Sequence, residues 1–272
     1  MRKFWCLFFM FWPVLAIWLC WVSPANGWWF PSIAPWELGQ QIDDLFYLLL
    51  IITTVVFIGT QFALGYVLWK GSDVKPGRAW FSHGSHNLEV IWTILPAIIL
   101  LFISLYQMDV LARIRVMSKF PEQASRDPIA EVTARQFEWR IRYPAPGKKL
   151  LAQPQPDDLY TVNDLHVPVG QPVMIRLRSD DVQHSFGLPH LRLMQDAVPG
   201  LVIPVWFRSN AVGKFEIVCK ELCGWGHYKM QGELTVELEE DYEAYLKALQ
   251  EKMNDDGYPA DAENAVAQSD EE

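Results

Sequence analysis

The chain has 272 residues, of which 51% are hydrophobic and 14% aromatic, and its formal net charge is -9. So many large apolar residues exclude a disordered chain, and a mean hydropathy of only +0.05 means that apolar and polar stretches are segregated along the sequence. The acidic balance argues against nucleic-acid binding, which needs a basic face, and the four cysteines are too few for a disulfide scaffold.

The first 27 residues have the features of an export signal. Arg2 and Lys3 precede an apolar stretch over residues 4–22, and the small residues of a cleavage site lie at 25–27. Because the apolar stretch is long for a signal, an uncleaved membrane anchor is the alternative. We predict a signal peptide over residues 1–27, and under both interpretations the residues that follow begin outside the cytoplasm.

Two long uncharged runs come next, over residues 45–69 and 90–108. Each run is long enough to cross a hydrocarbon core of about 30 Å as a helix. Pro96 falls in the second run, where neighbouring membrane helices can satisfy the freed backbone carbonyl. We therefore predict a transmembrane hairpin within residues 28–112, with helices over about 45–69 and 90–110 and with the polar remainder of the chain outside the cytoplasm.

The hydrophobic pattern changes to a period of two from about residue 129 onward. Apolar residues alternate with charged ones over 137–143, 173–178 and 233–238, and turn residues separate these stretches. Such alternation predicts half-buried strands, and several short strands in sequence are typical of a β-sandwich or a Greek-key barrel.

The β-type pattern defines the extent of the exported domain. We predict this domain over residues 113–253, with a closing helix over 241–253. The residues after it, 254–272, are acidic and rich in small side chains, which predicts a disordered tail.

Sulfur and nitrogen ligands are concentrated in one short segment near the end of the β region. Cys219, Cys223, His227 and Met230 lie between two predicted strands, and His184 lies upstream. Thiolate, imidazole and thioether groups form a soft ligand set that favours copper over magnesium or calcium. Two thiolates can bridge two copper ions, each with one imidazole, and such a pair can share one electron. This arrangement suits an electron relay and does not suit hydrolysis.

Other interpretations of this segment stay open on spacing alone. The two cysteines of an exported domain can form a disulfide, and a Cys/His set can bind structural zinc, although zinc rarely recruits methionine. His190, six residues after His184, is an equal candidate for the upstream imidazole on chemistry alone. We expect the remaining histidines on loops or on the surface: His83, His86 and His166.

These motifs resemble those of cytochrome c oxidase subunit II, which carries the binuclear copper centre called Cu-A. The family pattern C-x-E-x-C-x3-H-x2-M is complete over residues 219–230, and His184-Ser185 matches the upstream histidine. The segments 89–96 (EVIWTILP) and 196–200 (DAVPG) resemble two further family motifs. The resemblance covers most of the chain and implies a membrane-anchored all-β protein, in which a two-helix transmembrane hairpin precedes a cupredoxin-like Greek-key β-barrel.

The resemblance also implies roles for individual residues. The Glu221 carboxylate would bind Mg or Mn at the contact with subunit I, and Glu89, at the start of the second helix, would take up protons for a channel there. The family position selects His184 over His190. The implied copper ligands are two bridging thiolates, one imidazole for each copper, a thioether and a main-chain carbonyl: Cys219, Cys223, His184, His227, Met230 and Glu221.

One stretch departs from the family pattern. Where the family usually has Gln-Trp-Tyr-Trp, with the first tryptophan as the residue through which electrons enter, this chain has Gln136-Phe137-Glu138-Trp139. Phe137 still presents an aromatic face but is a poorer electron mediator. Phe137 and Trp139 are therefore the candidate residues for electron input, and the identity of the donor is left open.

The function that the resemblance implies is that of the electron-accepting subunit of a cytochrome c oxidase in a bacterial plasma membrane, with its soluble domain on the periplasmic side. Electrons would pass from cytochrome c to two copper ions and then to heme in subunit I, which reduces O2 to water; no residue of this chain would be catalytic. The implied partners are subunit I, other oxidase subunits, cytochrome c and the membrane. The alternatives are a copper subunit of a nitric-oxide reductase and, from another class, a structural or assembly protein.

Overall fold

The structure is a computed structural model, and it divides the chain into two compact units. We call the first the helical unit (Met1–Ser32 and Gln41–Val110) and the second the β unit (Ile33–Gln40 and Leu111–Glu272). The predicted acidic tail lies outside the described residues from residue 256 onward. The structure describes residues 2–28, 35–72, 81, 83–122, 124 and 127–255.

Helices α1 (Arg2–Ala25), α2 (Glu37–Ser72) and α3 (His86–Arg115) account for the apolar half of the sequence. Among the described residues, three helical segments are long and apolar enough to cross a membrane, and one of them is Phe4–Ser23 in α1. The predicted hairpin corresponds to α2 and α3, and the stretch interpreted as a signal is a third helix of spanning length, whose cleavage stays a prediction. The helices also extend beyond the uncharged runs into charged residues at both ends.

Helix α1 packs against α2 through small side chains. Cys6 of α1 is fully buried, and a Cβ added at Gly65 of α2 would lie only 2.8 Å from Cγ of Met10. Small residues at such crossings let two helix backbones approach closely, as they do in membrane bundles. The N-terminal helix thus has a packing site within the helical unit.

The β unit is built mainly from strands. Among the residues that the structure describes, ten strands follow one another in the order β1 (Ala130–Arg135), β2 (Glu138–Tyr143), β3 (Leu159–Val162), β4 (Asp164–Pro168), β5 (Val173–Ser179), β6 (His184–Leu188), β7 (Leu193–Ala197), β8 (Ile203–Phe207), β9 (Gly213–Cys219) and β10 (Gln231–Glu237). The alternating stretches of the sequence correspond to β2, β5 and β10, so the period-two pattern predicted these three strands correctly.

The strands form two five-stranded sheets that share one apolar core. The strand order is β3-β2-β1-β5-β8 in the first sheet and β4-β10-β9-β6-β7 in the second. Most pairs are antiparallel, but β1 and β5 run parallel, as do β4 and β10. This arrangement is a cupredoxin-like β domain, and helix α4 (Glu239–Asp255) follows its last strand.

Arg142 departs from the alternation that predicted it on the solvent face of β2. Its side chain is only 5% exposed, and its guanidinium lies 2.6 Å from the Asp158 carboxylate and 3.1 Å from that of Glu131. Glu131 is its direct cross-strand partner on β1. Burial alone would lower the pKa of Arg142, but the two carboxylates outweigh it and raise that pKa. The ion pairs thus allow a charged side chain to be buried within β2.

His166 links α4 to the second sheet. Its ring stacks on that of Tyr245 with centroids 3.5 Å apart, and its two nitrogens lie 2.8 Å from Glu237 and 3.2 Å from Asp164. Burial alone would lower the pKa of His166, but hydrogen bonds and charge from the two carboxylates raise it. The expectation of a loop or surface position was wrong for this histidine, which lies half-buried on β4.

We predict a pH-dependent stability from this cluster. Because the pKa of His166 is raised on folding, its contribution is complete below the unfolded pKa of about 6.5 and is lost as the pH rises through the folded value. His166→Phe keeps the stacking on Tyr245, so it should destabilise the chain by about 1 kcal/mol near pH 6 and by less at pH 9. Thermal unfolding of the full chain in detergent between pH 6 and 9 measures the difference. Equal destabilisation at both ends of this range would contradict the prediction.

Candidate metal centre

Two neighbouring strands bring the upstream histidine to the cysteine segment. His184 is the first residue of β6 and Cys219 is the last of β9, and these strands pair with Phe186 opposite Cys219. The Lys220 amide donates to the Ser185 carbonyl at 2.9 Å, which extends the pairing to the end of the sheet. The pairing of the two strands thus makes His184 and Cys219 neighbours in space, although they are 35 residues apart in the sequence.

A loop and a short 3₁₀ turn carry the remaining donors back over the same end of the sheet. The turn spans His227–Lys229, and β10 begins immediately after Met230. The Cys219 amide donates to the Met230 carbonyl at 3.1 Å, which fixes the two ends of the loop together. The loop therefore returns His227 and Met230 to the end of the sheet that carries Cys219.

The candidate donor atoms converge on the two sulfurs, which lie 3.9 Å apart. Cys219 Sγ lies 3.9 Å from Nδ1 of His184 and 3.2 Å from the main-chain oxygen of Glu221. Cys223 Sγ lies 3.6 Å from Nδ1 of His227 and 3.8 Å from Sδ of Met230. Each sulfur thus has one imidazole and one weaker donor beside it, and all four cysteines of the chain are free.

Most of the site is buried, and polar contacts hold it from outside. His184, Met230 and both cysteines are buried. Nε2 of His184 lies 2.8 Å from the Asp181 carboxylate, which leaves Nδ1 directed towards the sulfurs. A carboxylate on the second nitrogen is the usual way in which proteins orient a metal-binding imidazole.

The two thiols have different proton affinities in this pocket. Burial alone would raise the pKa of Cys219, but hydrogen bonding to His184 and to the Ser185 backbone lowers it to about 6. Burial and the neighbouring Cys219 charge raise the pKa of Cys223. One thiolate forms readily and opposes the second, so a bound cation would favour the fully deprotonated pair.

Gln136 connects the aromatic stretch to the cysteine loop. Its amide donates to the Asp181 carboxylate at 2.7 Å, and its side-chain NH2 donates to the Cys223 carbonyl at 2.5 Å. Sequence reasoning assigned no role to Asp181 or Gln136. Their positions in the sequence could have identified them, since Asp181 lies three residues before His184 and Gln136 directly precedes Phe137.

The structure separates the other candidates from this cluster. Among the described residues, the closest group of potential metal ligands contains His184, Cys219 and Cys223; His190 lies outside it, as does His227, whose Nδ1 nevertheless lies 3.6 Å from Cys223 Sγ. The side chain of Glu221 points to solvent, with only its backbone oxygen at the sulfurs, and Glu89 is an exposed residue near the start of α3. Trp139 is fully buried with its ring 6.3 Å from that of His184, whereas Phe137 is half-buried.

The donor set fits copper. Two sulfurs within bridging distance, two imidazoles, a thioether and a carbonyl are soft to borderline ligands, and no carboxylate oxygen of the described residues joins the close group. Such a set favours copper over the hard cations magnesium and calcium. The fold and the site together define a membrane-anchored protein with a cupredoxin-like domain and a candidate copper centre.

Comparison with known proteins agrees with that class. A family model described as cytochrome c oxidase subunit II, periplasmic domain, matches residues 142–236, and one for the transmembrane domain of the same subunit matches residues 32–110. Cytochrome c oxidase subunit 2 of Cereibacter sphaeroides is 30% identical over 247 residues, which cover 80% of this chain and 78% of the relative. The chain belongs to the cytochrome c oxidase subunit II family.

Another curated relative and one solved structure are also similar to this chain. The alternative cytochrome c oxidase subunit 2 of Bradyrhizobium diazoefficiens is 29% identical over 239 residues, covering 81% of this chain and 83% of the relative. The crystal structure of the periplasmic domain of subunit II of cytochrome oxidase of Bradyrhizobium japonicum is 23% identical, with a TM-score of 0.40, and the match covers 45% of this chain and 93% of that one.

Family membership makes this chain the electron-accepting subunit of a heme–copper oxidase, an oxidoreductase complex. It is a membrane-anchored protein with a soluble copper-binding domain. The relatives reported above are oxidase subunits, so the alternative of a nitric-oxide reductase subunit is not favoured.

Proposed function

We propose that the chain accepts electrons from cytochrome c at a binuclear copper centre and delivers them to heme in subunit I, where O2 is reduced to water. The observation that carries the proposal is the convergence of the candidate donor atoms on two sulfurs 3.9 Å apart. Two copper ions held by these residues would supply a one-electron store whose charge is shared, so that little reorganisation would accompany each transfer. The proposed ligands are Cys219, Cys223, His184, His227, Met230 and the carbonyl of Glu221.

The protein's contribution to this chemistry is to position the ligands and exclude water. The Asp181 carboxylate holds the His184 ring at 2.8 Å and fixes which nitrogen faces the sulfurs. Gln136 ties the Cys223 carbonyl to the neighbouring strand region. Because the pocket is already assembled around the thiols, the ligands need little rearrangement when the metal changes oxidation state.

Two carboxylates have proposed roles outside the copper site. The exposed Glu221 side chain would bind Mg or Mn at the contact with subunit I, which supplies the remaining ligands. Glu89, exposed near the N-terminal end of α3, would take up protons for a channel in subunit I. Carboxylates at the end of a membrane helix are placed where water and the protein interior meet.

The proposed location is the bacterial inner membrane, with the β unit on the periplasmic side. A retained α1 would begin with Arg2 and Lys3 on the cytoplasmic side, as the positive-inside rule favours. Three spans then place the end of α3 outside, and two spans after signal cleavage place it there as well. The proposed partners are subunit I, other oxidase subunits and cytochrome c.

A pair of histidine variants tests the proposed site. His184→Asn should lower the copper content of the purified oxidase and slow cytochrome c oxidation at least about 100-fold, since even changes to the groups behind a ligand cost 10–100-fold. His190→Asn is the matched control, because His190 is the other candidate of the same segment and its ring lies against Phe215. Copper analysis and oxygen uptake measure both effects. Normal copper content and turnover in His184→Asn would contradict the proposed ligand set.

A further inference from the structure

Phe137 occupies the position at which the family usually has the tryptophan through which electrons enter. A second aromatic side chain, Trp225, lies beside it. The ring of Phe137 lies 5.2 Å, between centroids, from that of Trp225, at an interplanar angle of 70°. This edge-to-face geometry is a favourable aromatic contact. The cysteine loop therefore places the indole of Trp225 against the ring of Phe137 on the strand side.

The glycines on both sides of Trp225 make this contact specific. A Cβ at Gly226 would lie 2.5 Å from a ring carbon of Phe137, and one at Gly224 would lie 3.2 Å from the same ring. Gly224 also has a φ of +137°, a backbone conformation that side chains with a Cβ rarely adopt. The Gly-Trp-Gly segment can thus lie directly on the Phe137 ring and turn its indole outward.

The indole is exposed and close to the proposed ligands along the chain. Trp225 is 79% exposed, and it lies two residues from Cys223 and two from His227. Lys229 places its ammonium group 5.6 Å from the indole ring. The neighbouring ring and the cation hold the exposed indole in one orientation. Because the side chain is already ordered, it loses little conformational entropy when a partner binds.

The other aromatic candidates are less accessible. Trp139 is fully buried beside His184, so a donor protein cannot touch it. Phe137 is half-buried, because the Gly-Trp-Gly segment covers part of its ring. Trp225 is therefore the aromatic side chain of this cluster that a partner reaches first.

We propose that Trp225 is the residue through which electrons enter this chain, and that Phe137 is a positioning residue beneath it. The inference rests on the proposed function and names the contact that the donor makes. The donor is a cytochrome c that presents its heme edge to the indole. One electron leaves the ferrous heme, which becomes ferric, and the copper centre gains that one electron. No bond is formed or broken and no proton moves.

Two measurements on Trp225→Ala test the proposal. The first is the dissociation constant of ferric cytochrome c for the metal-free full chain in detergent, which should rise about tenfold because an exposed aromatic anchor is lost. The second is the bimolecular rate at which ferrous cytochrome c reduces the copper of the assembled oxidase, which should fall at least about tenfold for the same reason. Reduction by hexaammineruthenium(II), a small reductant, should be unchanged.

Tyr228→Ala is the matched control. Tyr228 belongs to the same loop, is 70% exposed and also lies beside Lys229, at 5.5 Å. Its ring makes no contact with Phe137 among the ring pairs found in the described part of the chain. This variant should retain most of the rate and affinity that Trp225→Ala loses.

A compensating variant separates electron input from damage to the loop. Trp225→Ala combined with Phe137→Trp returns the indole to the strand position that is usual in the family, and it should recover the rate of reduction by cytochrome c. The paramagnetic resonance of the copper centre should be the same in all these variants.

The outcomes are distinguishable. Unchanged cytochrome c affinity or an unchanged reduction rate in Trp225→Ala would overturn the proposal, as would equal losses in Tyr228→Ala. A wild-type chain that binds no copper pair would refute the proposed function instead. The affinity of the metal-free chain would still decide whether the donor touches Trp225, because that measurement needs no copper.

Discussion

Cys223→Ser should abolish the shared-electron copper centre and leave at most one copper ion per chain. Cys223 Sγ is the sulfur nearest to His227 and Met230, at 3.6 and 3.8 Å, and it lies 3.9 Å from the sulfur of Cys219. Serine preserves the size of the side chain but replaces a soft thiolate with a hard, weakly acidic hydroxyl, which cannot bridge two copper ions. We expect cytochrome c oxidation to fall at least about 100-fold, as for the loss of a direct ligand.

The measurement is copper per chain in the purified oxidase, together with oxygen uptake from reduced cytochrome c. Cys20→Ser in α1 is the control, because this half-buried cysteine belongs to the helical unit. It should retain full copper content and turnover. Full copper occupancy in Cys223→Ser would show that the bridging role assigned to this residue is wrong.

Arg142→Met should destabilise the β unit by about 3–5 kcal/mol, the cost of breaking a buried ion pair from one side. The methionine fills a similar volume but leaves the carboxylates of Glu131 and Asp158 buried without their cation. Both carboxylate side chains are less than a tenth exposed. Denaturant unfolding of the full chain in detergent, followed by tryptophan fluorescence, measures the loss.

Two further variants identify the cause of that loss. Arg140→Met removes the neighbouring arginine of the same strand, whose ion pair with Glu138 is partly exposed, and it should cost less than about 1 kcal/mol. Arg142→Met combined with Glu131→Gln and Asp158→Asn should recover part of the stability. A loss of the same size in Arg140→Met and Arg142→Met would show that burial of the ion pairs is not its cause.

The sequence predicted the β half well because half-buried strands have a strict alternation. β2 falls within one alternating stretch, and β5 and β10 overlap most of the other two. Arg142 was predicted to be exposed, but it is buried, because its partners come from β1 and from Asp158, which is 16 residues away along the chain. Local alternation carries no information about such long-range ion pairs.

The number of membrane-length helices was predicted less well. Residues 4–22 have the composition of both a signal peptide and a spanning helix. The contact of Gly65 with Met10, which gives α1 a packing partner, depends on tertiary structure. Composition alone therefore could not reveal that partner.

Most of the candidate site could be predicted from the sequence, because four of its five side-chain donors lie within one short segment, residues 219–230. Spacing alone could not choose between His184 and His190, since both side chains are imidazoles in the same segment. In the structure, the register that places Phe186 opposite Cys219 brings the ring of His184 to within 3.9 Å of the Cys219 sulfur. Trp225 was missed for a similar reason: its importance depends on its contact with Phe137, which is distant in sequence.

Paramagnetic resonance of the oxidised, copper-loaded full chain tests the central claim most directly. The proposed site predicts two copper ions per chain and one unpaired electron whose hyperfine pattern shows equal coupling to both nuclei. A spectrum of one isolated copper ion, or a chain that binds no copper while Cys219 and Cys223 are kept reduced, would contradict it.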